Sequence, residues 1–379
     1  MAIAAPIRSR YIYCNMMYTV VTHLIEVKTQ QSFSGFLHDR LFLPLNMNST
    51  CLQPGRARSN GLGDRIATGY IWTKNTSYSG LQSPDCPEGQ GAGSVMSSAN
   101  DMIKWVQALI HQDGPITQKI YQGLVRLRSF PYQHPARIKP YTSPTIYAAG
   151  LDVYYYRGYM IVGHSGVIPG FSSRFVFSPD LKLGAVFLGN SGGAGSVSTF
   201  LVRKLIDSVL GVTMSEQGGN CKPSKDVQTA QGKDAGKKKR NKKLQRQDDR
   251  QSKPNDTRGQ KADRQNRQSP SEAQEKPLEL YTGKYRNAGY RGMEVQIKDG
   301  ELFIDATDRS MGFTLRFVHV RDQTKYTAYL TDAIEGGDDP LDAEFVFEDG
   351  AVTRMGLRLE QALSGLIWFD RPEATHGGG

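Results

Sequence analysis

The sequence predicts an α+β domain, then a long polar spacer, then a separate small all-β barrel. Three observations carry that prediction. Within residues 1–212 the apolar spacing changes from helical to strand-like: helical up to about residue 110, strand-like from about residue 146. Residues 213–276 are rich in Lys, Arg, Gln, Asp, Ser and Gly and hold almost no large apolar residue. Such a stretch cannot bury enough surface to offset its ordering entropy, so it reads as a disordered linker. Residues 277–373 return to short alternating strands with no helical stretch, and 374–379 read as a frayed tail.

Residues 13–28 form the first expected helix, with Met17, Val20, Val21, Leu24 and Ile25 on one face as a core-facing stripe. "FSGFLHDRLFLPLNMNST" continues as a second helix that stops at Pro44. Loop-rich sequence follows, ending in "GQGAGSVMSSANDMIKW". There Ser98 is an N-cap and Asp101 completes a capping-box pattern. Met102, Trp105, Val106, Leu109 and Ile110 supply that helix's buried stripe. From residue 146, "IYAAGLDVYYYRGYMIVGHSG", "SSRFVFS" and "KLGAVFLGN" read as three consecutive strands, the last pair turned by Ser178-Pro179-Asp180. Short connections make the sheet antiparallel, and a helix near 196–210 closes the domain. In the last segment, alternating strands flank Asp-Gly turns at Asp299-Gly300 and Asp349-Gly350.

The formal charge of +10 suggests nucleic acid until it is located. Residues 232–276 carry 15 Lys/Arg against 7 Asp/Glu, a net of +8, which leaves +2 for the rest of the 379 residues. The run "KKKRNKK" at 237–243 is compatible with a nuclear-import or nucleic-acid patch. Without interleaved aromatics for base stacking, the segment reads better as a solvated, self-repelling spacer. The four cysteines, Cys14, Cys51, Cys86 and Cys221, show no CxxC or Cys/His ligand spacing. Cys51 and Cys86 could bridge in a secreted protein, but sparse free thiols are the simpler reading. No apolar run reaches the roughly 18 residues of a membrane span. The N-terminal order, apolar and then basic, is wrong for a secretory signal, and no compartment is indicated.

Three stretches carry chemistry. Tyr13 and Asn15 stand two apart at a helix start. The Gly/Ser loop "GQGAGS" runs into a capped helix. His164, Ser165 and Gly166 end a strand that runs into a Pro-Gly loop. Tyr-x-Asn and His-x-Gly are each expected about once or less by chance in such a chain, and each has a plain structural reading: a packed aromatic, a carbonyl-bonded strand histidine. In this order and context, however, they resemble the serine β-lactamase-related family, which includes penicillin-binding-protein-like esterases and D-aminopeptidases. "FLPLNMNST" also resembles that family's Pro-Leu-Gly-Met segment, with Asn46 where glycine is usual. The likeness covers roughly residues 8–210 and implies a partial β-lactamase/transpeptidase-like sheet with helices. "LYTGKYRNAGY" resembles the first strand of the lipocalin-like barrels that some members carry.

Sites of this family need a Ser-x-x-Lys nucleophile, a Ser/Tyr-x-Asn motif and a Lys/His-x-Gly strand. The resemblance makes Tyr13 the base or proton relay and Asn15 a positioner. It makes His164, Ser165 and Gly166 the substrate-side wall and the Val167 N–H an oxyanion donor. A phenol acts as a base only beside a cation that lowers its pKa from near 10. Yet no serine in the 379 residues has a lysine three positions later, and only 12 residues precede Tyr13. The expectation is therefore a fragment of a serine hydrolase of roughly 550 residues that has no activity as this chain. The parent reaction would be acyl transfer from an ester, amide or β-lactam to water, with a small-molecule or peptide substrate and no metal or organic cofactor. The alternatives are a true short protein that binds a ligand or peptide without turnover and, last, nucleic-acid association through the spacer.

Overall fold

The structure is a computed structural model that describes residues 3–72, 77–131, 133–213 and 272–372. The expected linker falls almost wholly on 214–271, outside the described residues, as do Cys221 and the 374–379 tail.

The first helix, α1 (Asn15–Thr29), begins after Cys14, whose side chain makes no capping bond, and ends at Gln30 in the left-handed region (φ 55°). Its apolar stripe does not enter the core as expected. Met17, Val20, Val21 and Leu24 are each about half exposed, whereas Thr22 is buried. The reason lies in what α1 packs against. A Cβ on Gly91 would stand 2.5 Å from the Tyr18 carbonyl carbon, so the glycine-rich loop meets the helix backbone directly. Thr19 Oγ1 donates to the Glu88 carbonyl at 2.9 Å. The loop thus covers the polar face, and hydrophobic periodicity alone does not say which face finds a partner.

Helix α2 (Phe33–Leu37) starts at Ser32, whose Oγ accepts from the Gly35 N–H, and passes into one π-helical turn, His38–Phe42. Asn46 then adopts φ 53°, the left-handed conformation that glycine takes freely and asparagine tolerates. This accounts for asparagine where the resembled family has glycine. A short pairing of β1 (Cys51–Leu52), helix α3 (Pro54–Ser59) and the ribbon β2 (Gly69–Trp72) with β3 (Tyr78–Leu81) follow; β4 (Val95–Met96) is the partner of β1.

Helix α4 (Ala99–His111) is capped as expected, with Ser98 Oγ accepting from the Asp101 N–H at 3.2 Å. The Asp101 carboxylate does not close a capping box. It accepts from the Ser49 N–H (2.7 Å) and the Thr50 hydroxyl (2.9 Å) and pairs with Lys104 (3.0 Å), tying α4 to the turn after α2. Helix α5 (Gln118–Val125) leads to the main sheet.

That sheet has five antiparallel strands in chain order: β5 (Ile146–Tyr147), β6 (Asp152–Tyr156), β7 (Tyr159–Ile168), β8 (Phe171–Ser178) and β9 (Leu183–Gly189). The stretch expected as one strand is three. It turns between β6 and β7 at Arg157-Gly158, both left-handed (φ 50° and 87°), as a two-residue hairpin requires. Val106, Leu109 and Tyr121 of α4 and α5 cover one face with Val153, Val162 and Phe177. On the other, α6 (Ala194–Val209) packs Val202 and Ile206 on Tyr156, Ile161 and Val176. The α+β expectation is borne out as helix, sheet and helix layers.

The C-terminal region is a closed eight-stranded antiparallel barrel, as expected for a small all-β unit. Its strands are β10 (Gly283–Asn287), β11 (Arg291–Lys298), β12 (Glu301–Ala306), β13 (Phe313–Arg321), β14 (Lys325–Asp332), β15 (Gly336–Glu348), β16 (Ala351–Leu357) and β17 (Ile367–Asp370). Both Asp-Gly turns are left-handed at each residue. Closure comes at Arg286 opposite Asp370. Rings fill the interior: Tyr281, Tyr285, Phe345 and Phe369 are all but fully buried, and Tyr281 meets Phe345 edge-on at 5.1 Å. Residues 272–276, on the spacer side of the expected boundary, bind this barrel. Glu272 N–H donates to the Val320 carbonyl (3.0 Å), and the Glu275 and Lys276 N–H groups donate to Gln323 Oε1.

Candidate active site

Two pieces far apart in sequence meet at the end of the main sheet. The chain reaches α1 through Tyr11 and Tyr13, with Cys14 extended (φ −146°), so Tyr13 projects toward β7. Its ring lies nearly parallel to the His164 imidazole, 21° between planes and 6.5 Å between centroids. Tyr147 stands edge-on to both, 6.0 Å from Tyr13 and 6.3 Å from His164, and Tyr11 tilts against Tyr147 at 5.4 Å. The Tyr18 and Tyr147 hydroxyls are 3.3 Å apart.

The hairpin positions His164. Alternation along β7 sends Val162 into the α4 side of the core and leaves His164 half-buried at the rim, opposite Phe175. Ser165 and Val167 are exposed, and Gly166 sits opposite Ser173, whose Oγ would be 2.9 Å from a Cβ there. Gly163 is the tighter position: its Cβ would be 2.2 Å from the Phe175 carbonyl oxygen. Asn15 opens α1 beside Tyr13 and is exposed. The structure therefore brings Tyr13 and His164 together, with Asn15 and Ser165–Val167 on the open side.

Burial sets the electrostatics. It pushes the Tyr13 phenol above its ordinary value, with Tyr18 and Asp152 adding to the shift. Tyr11 is pushed up to about 12, first by burial and then by Asp152. Tyr147 is raised by burial and by its bond to Tyr18. The Asp152 carboxyl is itself raised by burial, with His164 and Arg174 pulling back toward ionisation. At neutral pH these phenols are protonated, so the Tyr13 hydroxyl is available as a donor. It would take a proton only with a cation nearby to reverse the shift.

Sequence reasoning missed Tyr11, Tyr18, Tyr147 and Asp152. The first two carry no motif. Tyr147 and Asp152 became site residues through the hairpin, and the Arg-Gly turn inside "YYYRGYM" was the available signal. Among the described residues no group of three His, Cys, Asp or Glu side chains could hold a metal ion, and Cys14, Cys51 and Cys86 are free thiols. No described helix is long and apolar enough to cross a membrane.

Comparison with known proteins shows the family. The Beta-lactamase family profile matches residues 1–204, and a profile described as a domain of unknown function, DUF3471, matches residues 267–371. Unguisins hydrolase ungD' of Aspergillus campestris is 28% identical over 98% of this chain and 66% of its own length. The D-aminopeptidase of Brucella anthropi is 28% identical over 55% of this chain and 36% of its own. The chain thus spans less than two thirds of either relative. The octameric penicillin-binding protein homologue from Pyrococcus abyssi superposes with a TM-score of 0.46 at 18% identity, over 96% of this chain and 65% of its own. With the profile covering more than half of its residues, the chain belongs to the Beta-lactamase family.

Proposed function

We propose that the cleft between Tyr13 and β7 is the substrate-side half of a serine acyl-transfer site for a small amide, ester or β-lactam. The observation that carries this reading is the near-parallel contact of Tyr13 and His164 at 6.5 Å. Tyr13 offers a phenolic donor and Asn15 both a donor and an acceptor to the substrate. His164 lines the pocket beside the open backbone at Gly166 and Val167. An extended substrate would run along β7, with the Val167 N–H directed at the carbonyl oxygen in the manner of an oxyanion donor. The relative named as a D-aminopeptidase favours an amide substrate.

A covalent step needs a serine activated by a lysine, and these 379 residues contain no Ser-x-x-Lys. The chain by itself binds substrate and turns none over. The nucleophile and its lysine would have to be supplied by sequence other than these residues. The test is incubation with a fluorescent penicillin and with a D-amino acid p-nitroanilide. We expect no covalent adduct and no p-nitroaniline release, but saturable reversible binding that Tyr13→Phe and His164→Ala each weaken about tenfold, the loss of one good contact. A stable adduct would locate a nucleophile in this chain. Binding indifferent to both substitutions would remove the cleft from consideration.

A further inference from the structure

We propose that the C-terminal barrel positions the Tyr13–His164 site by clamping residues 84–91 onto α1, with Ser310 and Glu88 as the positioning residues of that clamp. The inference rests on reading the Tyr13–His164 cleft as the site. The described residues on either side of the spacer belong to one compact unit. Within it, Asp85, Pro87 and Glu88 line one crevice with Arg291, Arg309 and Ser310 of the barrel. The Ser310 hydroxyl donates to Glu88 Oε1 at 2.8 Å, across 222 positions of sequence. Tyr290, at the turn between β10 and β11, is a second point of approach. Its phenol donates to Glu360 Oε1 at 3.0 Å. Burial and that carboxylate push the phenol up, and Cys14, which separates Tyr13 from Asn15, adds to the shift.

Each side of the clamp is tied down separately. On the barrel, Arg309 fastens the loop 307–312 onto Tyr290 and Gly292, donating to their carbonyls at 3.2 Å each. The Thr307 N–H and hydroxyl both donate to Asp305 Oδ1, at 3.0 and 2.6 Å. On the α+β lobe, the Gln53 side chain exchanges two bonds with the Cys86 backbone, both 2.9 Å, and Asp85 Oδ1 accepts from the Gly55 N–H. Beyond Cys86 the same segment meets α1 and the barrel. The Glu88 carbonyl accepts from Thr19, Gln90 Nε2 donates to Thr22 Oγ1 at 3.4 Å, and Gly91 abuts the Tyr18 backbone. Tyr18 in turn reaches the Tyr147 hydroxyl, and the Tyr147 ring stands against both Tyr13 and His164. Glu88 thus bonds α1 with its backbone and the barrel with its side chain. Close-packed groups pass a displacement on because none of them has room to absorb it. Loss of the Ser310 bond should let 88–91 back away from α1, and the Tyr18–Tyr147 pair should move with it.

The test uses the whole chain and compares Ser310→Ala, Ser310→Thr, Glu88→Ala and the double substitution of Ser310→Ala with Glu88→Ala. Met311→Ala, at a neighbouring side chain that is 72% exposed, is the control for the loop. The Tyr13 and His164 ring signals are read by NMR on chains labelled in tyrosine and histidine, and fluorescent penicillin binding by anisotropy. Ser310→Ala and Glu88→Ala should shift the same ring signals. Each should weaken penicillin binding about threefold, the scale of one exposed charged contact, and move the melting temperature by less than about 3 °C. The double substitution should go no further than either single one. Ser310→Thr should restore the native signals, and Met311→Ala should leave them unchanged. Ring signals unmoved by both Ser310→Ala and Glu88→Ala overturn the proposal, whatever the melting temperature does. So does a double substitution whose effects add in full, or a Met311→Ala shift as large as that of Ser310→Ala. The ring signals need no ligand, so a chain that binds no penicillin sinks the acyl-transfer reading and leaves this result readable.

Discussion

Asp207 in α6 is 4% exposed, and its Oδ1 accepts from both the Tyr156 hydroxyl (2.9 Å) and Arg157 Nε (2.7 Å). Those partners sit at the β6–β7 turn, so one carboxylate pins α6 to the hairpin that carries Asp152 and His164. Truncation in Asp207→Ala removes two bonds to a charged acceptor. The Tyr156 hydroxyl, on a side chain only 4% exposed, loses its carboxylate acceptor, which costs about 1–3 kcal/mol. Arg157 suffers less, because it lies at a turn and stacks on Tyr141 at 4.2 Å, from where it can reach water. The total should be about 3 kcal/mol, at the lower edge of what breaking a buried pair costs. Asp207→Asn keeps an oxygen for Tyr156 and should cost about half of that. Urea unfolding followed by tryptophan fluorescence would show the midpoint falling by about 1.5 M for Asp207→Ala, given a slope near 2 kcal/mol per molar. The double substitution with Arg157→Ala should reveal a coupling of about 1 kcal/mol or more. If Asp207→Ala costs less than about 1 kcal/mol, the pair behaves like an exposed one and the reasoning fails.

Three further outcomes follow from the same physics. Asp101→Ala should cost about 2–3 kcal/mol by stranding the Ser49 N–H and taking one partner each from Thr50, which keeps Ser97, and Lys104, which keeps the Asn46 carbonyl. The Asp101 carboxyl is held below its ordinary value by the Lys104, Ser49 and Thr50 bonds, against the opposing effect of burial. Its contribution is therefore present above the unfolded value of about 4 and lost as pH falls through the folded one, which a series of melting curves at falling pH would show. Gly163→Ala should cost about 3 kcal/mol in urea unfolding, because the added methyl meets the Phe175 carbonyl and only a backbone shift of β7 against β8 relieves it. Tyr11 and Tyr285 are pushed up to about 12 by burial, so a spectrophotometric titration should show a group of tyrosines ionising late. Each favours the neutral phenol in the folded chain, so stability should be intact below about 10 and fall as pH rises toward 12.

Much of the architecture was legible because its signals are local. Ser98 before an apolar-periodic run marks a helix start wherever that helix packs. Asp299-Gly300 and Asp349-Gly350 marked hairpins because both residues must be left-handed, and few pairs accept that. The same rule applied at Arg157-Gly158 would have split the first strand, but arginine is an uncommon first residue of such a turn, and the surrounding tyrosines read as continuous strand. The family motifs were legible for a related reason: their residue types follow from the chemistry, so Tyr13, Asn15 and His164 kept their order and context without any contact being visible.

Tertiary structure decided the rest. The sequence by itself determined the class of each half, the turns of the barrel, the family motifs and the absence of a Ser-x-x-Lys. It did not determine which face of α1 is covered. Periodicity reports that a helix has an apolar side, and only the partner decides what that side meets; here the glycine-rich loop took the polar one. Nor could it place Tyr13 beside His164, since that depends on a tertiary contact between rings about 150 positions apart in sequence. The protonation of the Tyr13 corner is likewise tertiary. A phenol's residue type states what it can do, but burial and the charge that stands beside it decide whether it gives or takes a proton.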